Sequence, residues 1–230
     1  HIDYVGVKIF DDTGKLTGER RFVGLFTSSA YSKRPSDIPL LRTKIAHVKA
    51  QAGLAPNSHD GKALAHILDT YPRDELFQIS ETDLFPIALG ILRLGERPKV
   101  KVFVRFDRFD RFVSALVYVP RDRYDTTARE KIHEILAKAF NGRMSASTPT
   151  IDESALARVY YIVGRNEGPR PHVDLHTLEG NIREAIRTWE DSFSDALAAK
   201  HGESEGAQIE HARAAHFSPG YTGMFTPEEG

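Results

Sequence analysis

Ten histidines, no cysteine and a scatter of serines limit the chemistry open to this 230-residue chain. In HVDLH, His172 and His176 stand four residues apart, a spacing that on a helix aims two imidazoles at one metal ion. Pro169 and Pro171 place His172 in a loop or at a helix start, and the glutamate of an H-E-x-x-H pair is missing. No metal site is expected. In NSHDGKAL (57–64), Gly61-Lys62 has the form of a phosphate-loop end, but the first glycine of G-x-x-x-x-G-K-[ST] is absent and Ala63 replaces the hydroxyl residue. Helix capping accounts for that segment. The three glycines of a dinucleotide fingerprint are absent and so is a G-x-S-x-G elbow, so the chain is expected to hold no cofactor and no catalytic residue. Zero cysteines exclude disulfides, thiolate zinc sites and thiol nucleophiles.

The densest charge lies in RFDRFDRF and PRDRYD, where Arg105, Arg108, Arg111, Arg121 and Arg123 sit among aromatics. Basic residues interleaved with aromatics bind single-stranded nucleic acid on some βαββαβ sheets. Here Asp107, Asp110, Asp122 and Asp125 cancel the field, and a salt-bridged hairpin end with a strand exit is expected instead. The formal net charge of -1 supplies no attraction to nucleic acid or to anionic lipid. Hydrophobic content of 40% and charged content of 27% are those of a soluble globular protein. No run approaches a membrane span, and a cytoplasmic location is expected. The chain begins at His1 and enters a strand pattern at once, so it is read as a piece of a longer polypeptide.

The elements that must position these residues follow from periodicity. Residues 4–10 and 21–26 alternate as strands around DDTGKLTG, a hairpin with a loose turn. Leu41, Ile45, Val48 and Ala52 keep helical spacing until Gly53, and a second helix capped by Asn57 or Ser58 carries Leu64, Ile67 and Leu68. One hairpin and two helices make a thin core, so residues 1–72 are expected to be a partial α+β unit whose remaining strands lie upstream. ELFQIS (75–80) reads as a strand. Ser80 and Asp83 form a capping-box pattern for a helix bent or delayed by Pro86. Strands at 99–105 and 112–119, a helix capped near Asp125, and a hairpin over 143–151 and 156–163 complete an α+β, ferredoxin-like βαββαβ domain with one extra strand over 73–165. A long amphipathic helix (166–201), capped by Asp174 or Thr177, carries Leu178, Ile182, Ile186, Trp189, Phe193 and Leu197, and 202–230 read as a connector.

Right-handed crossovers put both helices of such a domain on one sheet face. Val100, Val102, Val104, Val117, Val119, Val159 and Tyr161 are expected to meet them. Phe103, Phe112, Leu116, Tyr118, Leu156, Tyr160 and Ile162 look the other way, and burying them would be worth roughly 10 to 20 kcal/mol. This second face is expected to be a docking surface for the C-terminal helix, another domain or a second copy of the chain.

VGVKIFDDTGKLTGERRFVGLFTSSAY, IPLLRTKIAHV, SHDGKALAHILDTYPRDELFQIS, ALGILRL and FVSALVYVPRDRYDTTAR together closely resemble the N-terminal region of the very long bacterial NAD-dependent glutamate dehydrogenases, and FSPGYTGMFTPEE is similar to the same family. The resemblance spans nearly the whole chain. It implies ACT-like modules ahead of a separate catalytic part that oxidises glutamate to 2-oxoglutarate and ammonium, with NAD bound there. It implies a regulatory or assembly role for this segment, with other domains of the same chain and homo-oligomeric subunits as partners, and neither nucleic acid nor membrane. ACT modules elsewhere bind amino-acid effectors at the loop between first strand and first helix, which falls here on Ile79, Ser80, Glu81 and Thr82. Many such loops carry a glycine to admit the ligand, and this one has none. An assembly module is therefore the first reading, an amino-acid sensor the alternative, and an independent enzyme the weakest.

Overall fold

The structure, a computed structural model, describes residues 3–95, 97–202, 204–205, 208–209, 217–222 and 224–226. Two compact units divide between Arg93 and Leu94, later than the boundary after Pro72 read from the sequence.

The first unit opens with an antiparallel hairpin of β1 (Asp3–Phe10) and β2 (Leu16–Gly24), followed by the short α1 (Ser28–Ser32). Four further helices follow: α2 (Leu41–Ala52), α3 (His59–Asp69), α4 (Arg73–Gln78) and α5 (Glu81–Leu94). The helical stripes bury as their spacing dictates: Leu41, Ile45 and Val48 from α2, Leu64 and Leu68 from α3, Leu84, Ala88 and Ile91 from α5. Local signals set the ends. Ser58 Oγ accepts the Gly61 N–H at 3.0 Å to cap α3, and Gly53 closes α2 in the left-handed region at φ 63°. Gly61 is required there by space, since a Cβ would stand 2.1 Å from the Ala55 carbonyl oxygen. That explains the Gly61-Lys62 pair without any phosphate.

Residues 75–80 are not a strand. They belong to α4 and its exit, where Glu75 and Leu76 are buried while Asp74 and Glu75 occupy the favourable first turn of a helix. Six residues with apolar side chains at 76, 77 and 79 fit either period, and packing decided. The helix of 81–94 begins at Glu81 and continues past Pro86, so the proline does not delay its start.

The second unit therefore has the order ββαββα rather than βαββαβ. It consists of β3 (Lys101–Phe106), β4 (Phe112–Pro120), α6 (Thr126–Ala139), β5 (Gly142–Thr150), β6 (Leu156–Arg165) and α7 (Leu175–Ala185). The four-stranded antiparallel sheet has the order β3-β4-β6-β5. β4 and β5 run parallel with β6 between them, so β4-α6-β5 is a split crossover of the ferredoxin-like kind. The α+β class and the placing of both helices on one face hold; the second helix is α7, from the C-terminal side, instead of 81–94. Val102, Val113, Val117, Val159 and Tyr161 pack with Ile132 and Leu136 of α6 and with Leu178 and Ile182 of α7 in one core.

Glu179 explains why α7 lies along β3. Its buried carboxylate accepts the Val102 N–H at 3.1 Å and pairs with Lys101 Nζ at 2.8 Å, which occupies a donor of the edge strand. The expected single helix over 166–201 is two. α8 (Trp189–His201) begins with a capping box, in which Thr188 accepts the Asp191 N–H and Asp191 accepts the Thr188 N–H. Much of the expected connector lies outside the described residues. Its described part includes α9 (Pro219–Thr222), and it returns to α8: Phe217 stands 4.9 Å from Trp189, whose Nε1–H donates to the Phe225 carbonyl at 2.8 Å.

Candidate docking surface

Strand register fixes the far face of the sheet. Phe103 pairs with Leu116 and Leu116 with Tyr160, so these three side chains form one rung. Ser114 and Ile162 make a second rung with Arg105, and Tyr118 and Arg158 a third with Lys101. Phe112 and Leu156 lie at the two ends of the β4-β6 ladder. The seven side chains expected on this face share it, and none of them is exposed: Leu116, Tyr118 and Leu156 are buried, while Phe103, Phe112, Tyr160 and Ile162 are half-buried. Of the C-terminal helix expected as a cover, the α7 part lies on the opposite side, with Leu178, Ile182 and the following Ile186 in the core.

The face is not purely apolar. Arg105 and Ser114, both buried, form a polar rung that the sequence reading passed over in favour of the large apolar groups. Alternation puts them there, because 101, 103 and 105 share a side, as do 112, 114, 116 and 118. The Arg105 guanidinium lies 5.7 Å from the centre of the Phe112 ring, and Ser114 Oγ donates to the Arg105 carbonyl at 3.5 Å. Tyr118 stands edge-on to Phe103 with ring centres 6.0 Å apart. Burial pushes its phenol up to about 12 against the opposing pull of Arg158, so it stays neutral throughout the physiological range.

At the end of the β3–β4 hairpin, RFDRFDRF neutralises itself as its charge pattern predicted. Asp107 takes both arms of Arg111, Nε–H at 2.8 Å and Nη2–H at 3.2 Å, and also accepts the Phe109 and Arg111 N–H groups. Burial works against the Asp107 carboxylate, but these hydrogen bonds outweigh it and hold the group below the usual carboxylate range. Asp110, at φ 58°, lies 3.3 Å from both Arg165 and Arg170. The surface these arginines present is paired rather than open to phosphates.

The four residues expected to form an effector loop lie elsewhere. Ile79, Ser80, Glu81 and Thr82 join α4 to α5 in the first unit, a helix-to-helix joint and not a strand-to-helix loop. Ile79 is buried, and its carbonyl accepts Lys44 Nζ at 2.6 Å. Ser80 Oγ accepts the Asp83 N–H at 3.1 Å and bonds to Thr82 and to the Asp83 carboxylate. Glu81 lies 3.0 Å from His47 Nδ1. Capping and tethering use most of the polar atoms a ligand would need. His172 precedes α7 and His176 lies in its first turn, both exposed, and among the described residues no third ligand joins them. The concave features described in the second unit are open grooves along α6, α7 and α8, one of them lined by Ile135, Ala139, Leu178 and Ala185. Among the described residues no helix is long and apolar enough to cross a membrane.

Comparison with known proteins finds two successive matches along the chain. Residues 38–97 match the helical motif 1 of glutamate dehydrogenase, and residues 101–190 match its ACT2 domain. The NAD-specific glutamate dehydrogenase of Pseudomonas aeruginosa is 38% identical over 98% of this chain and 14% of its own length. That of Halomonas elongata is 40% identical over 87% of the chain and 12% of its length, and that of Mycobacterium tuberculosis 34% over 92% and 14%. The chain thus spans about an eighth of the curated relatives it matches. With helical motif and ACT2 domain in succession and similarity running nearly end to end, this chain belongs to the NAD-specific glutamate dehydrogenase family.

Proposed function

We propose that this chain is a non-catalytic assembly segment of an enzyme that oxidatively deaminates L-glutamate to 2-oxoglutarate and ammonium, with NAD bound in other parts of the polypeptide. The far face of the β3–β6 sheet docks a neighbouring domain of the same polypeptide or a second subunit, and so helps hold the catalytic part in place. One observation carries the reading. β4 is buried or half-buried at every one of its nine residues, as a central strand between two layers would be, and α6 and α7 supply the layer on one side.

In the full-length enzyme, Tyr160→Asp together with Ile162→Asp is expected to weaken assembly in sedimentation and to lower NAD-linked glutamate oxidation. The same pair should leave the circular dichroism of the 230-residue chain unchanged. Unaltered assembly and activity in the full-length variant would overturn the docking reading. Calorimetric titration of this chain with amino acids is expected to be silent; saturable heat would move the reading to a sensor. Glutamate oxidation by the 230-residue chain alone would end the non-catalytic assignment.

A further inference from the structure

Four polar atoms are buried between α6 and β6 with no hydrogen-bond partner among the described residues: the hydroxyls of Tyr124 and Tyr161, Nε of Arg129 and Nε2 of His133. Three elements bring them together. Tyr161 stands in β6 opposite Ser147 of β5, in the core with Ile132 of α6, and is 0% exposed. Arg129 and His133, four residues apart, share a face of α6. The His133 ring is edge-on to that of Tyr161, with ring centres 5.4 Å apart. Tyr124 follows the turn Arg121–Arg123, and the next residue, Asp125, caps α6 by accepting the Ala128 N–H at 2.7 Å. The two hydroxyls are close enough to act on each other, and Arg129 acts on both, yet no pair reaches hydrogen-bond geometry. Burial first, then the neighbouring Tyr124, raises the Tyr161 phenol above its ordinary range, while burial and then Arg129 hold His133 below its own. At neutral pH the cluster is therefore two phenols, a neutral imidazole and one guanidinium.

A buried donor or acceptor without a partner loses its bonds to solvent and gains nothing in return, so four such atoms in one place call for a shared partner. We propose that Tyr124, Arg129, His133 and Tyr161 bind one ordered water molecule between α6 and β6. The mixture of groups selects this ligand. Arg129 Nε–H can only donate, a phenol both donates and accepts, and a neutral imidazole nitrogen does either according to its tautomer. Water carries two hydrogens and two lone pairs and takes up to four such bonds. A small anion would need every group as a donor, and Glu130 acts on His133 with the opposing sign. A cation would be repelled by Arg129. Tyr124, Arg129 and His133 are half-buried around the buried Tyr161, which sets the site one side chain below the surface, within reach of bulk water. The water ties the first turns of α6 to a central strand, and adds direction to a contact made otherwise by apolar groups such as Ile132.

A crystal structure of the 230-residue chain, at a resolution that shows ordered solvent, tests the proposal. Water density is expected about 3 Å from at least three of the four atoms. The two tyrosine hydroxyls bonded directly to each other with no water beside them would overturn it. So would an ion at the site, which crystals grown in bromide would reveal by anomalous scattering. Tyr161→Phe deletes one bonding group and keeps the ring, and is expected to lower the folding equilibrium of the second unit roughly tenfold in denaturant unfolding. An unchanged or higher unfolding midpoint in that variant would mean that the hydroxyl is unbonded in the folded chain, and would also overturn the site.

Discussion

The chain contains two β-hairpins built to the same plan, and they end differently. In β1–β2 and in β3–β4 an aspartate organises the turn: Asp11 accepts the Thr13 and Lys15 N–H groups, and Asp107 those of Phe109 and Arg111. In both, every second side chain of the first strand is apolar. Yet Val7 is 50% exposed and Val117 is 0%. The second hairpin is followed by a helix that returns over it through a split crossover, with α7 then lying beside α6; the first is followed by helices that close on one another. Alternation specifies that a strand has a dry side. Only the route of the chain afterwards supplies what keeps it dry.

A carboxylate planted on each dry side would break this contrast most sharply. Val117→Asp puts a charge among Val102, Ile132 and Val159, and should cost more than about 4 kcal/mol, seen as collapse of the second unit in denaturant unfolding. Val7→Asp in the 230-residue chain should stay within about 0.5 kcal/mol of the parent. Comparable losses at both positions would mean that the first hairpin is already covered.

The clasp on the edge of the second sheet comes next in size. Glu179→Ala leaves the Val102 N–H and Lys101 without their acceptor and should cost roughly 2 to 3 kcal/mol, with fast amide exchange confined at first to β3 and α7. The two turns separate again under substitution. Asp107→Ala should cost about 1 to 2 kcal/mol, because a buried carboxylate with four donors is lost, whereas Asp11→Ala at the exposed turn should leave the unfolding midpoint nearly unchanged. Lowered pH tests the layer that the first hairpin lacks. Burial and then the charge of Arg129 hold His133 on α6 below the usual histidine range, against the pull of Glu130. Its contribution to stability is therefore complete above the unfolded value of 6.5 and is lost as pH falls through the folded one. Between those two values His133→Gln should flatten the pH slope of unfolding in the second unit, and an unchanged slope would remove His133 as its cause.

Legibility tracked how local each signal was. Caps and stops at Ser58, Asp125, Asp174 and Gly53 could be read because one side chain and a few backbone groups settle them. The Thr188-Asp191 capping box was equally local and went unread under a long apolar stripe that ran past it. Glu75 to Ser80 misled for another reason, since six residues cannot distinguish a buried helical turn from a short strand. That error moved the expected effector loop from a sheet edge to a helix joint, although Ser80 was correctly read as a cap. The seven large side chains of the far face share one side of the sheet because side-chain alternation survives any permutation of strand order, while the polar residues among them, Lys101, Arg105, Ser114 and Arg158, were left out of the expected surface.

By itself the sequence determined the strands of the second unit, the sidedness of their residues and most helix starts, since period and capping depend on neighbours a few positions away. Family membership was also there, in stretches such as LVYVPRDRY. Tertiary structure decided which helices cover the sheet, where one unit ends, and which of two equally alternating hairpins is dry. These depend on contacts between residues far apart in sequence, and the energy that selects among them is shared across a whole core rather than held by any local pattern.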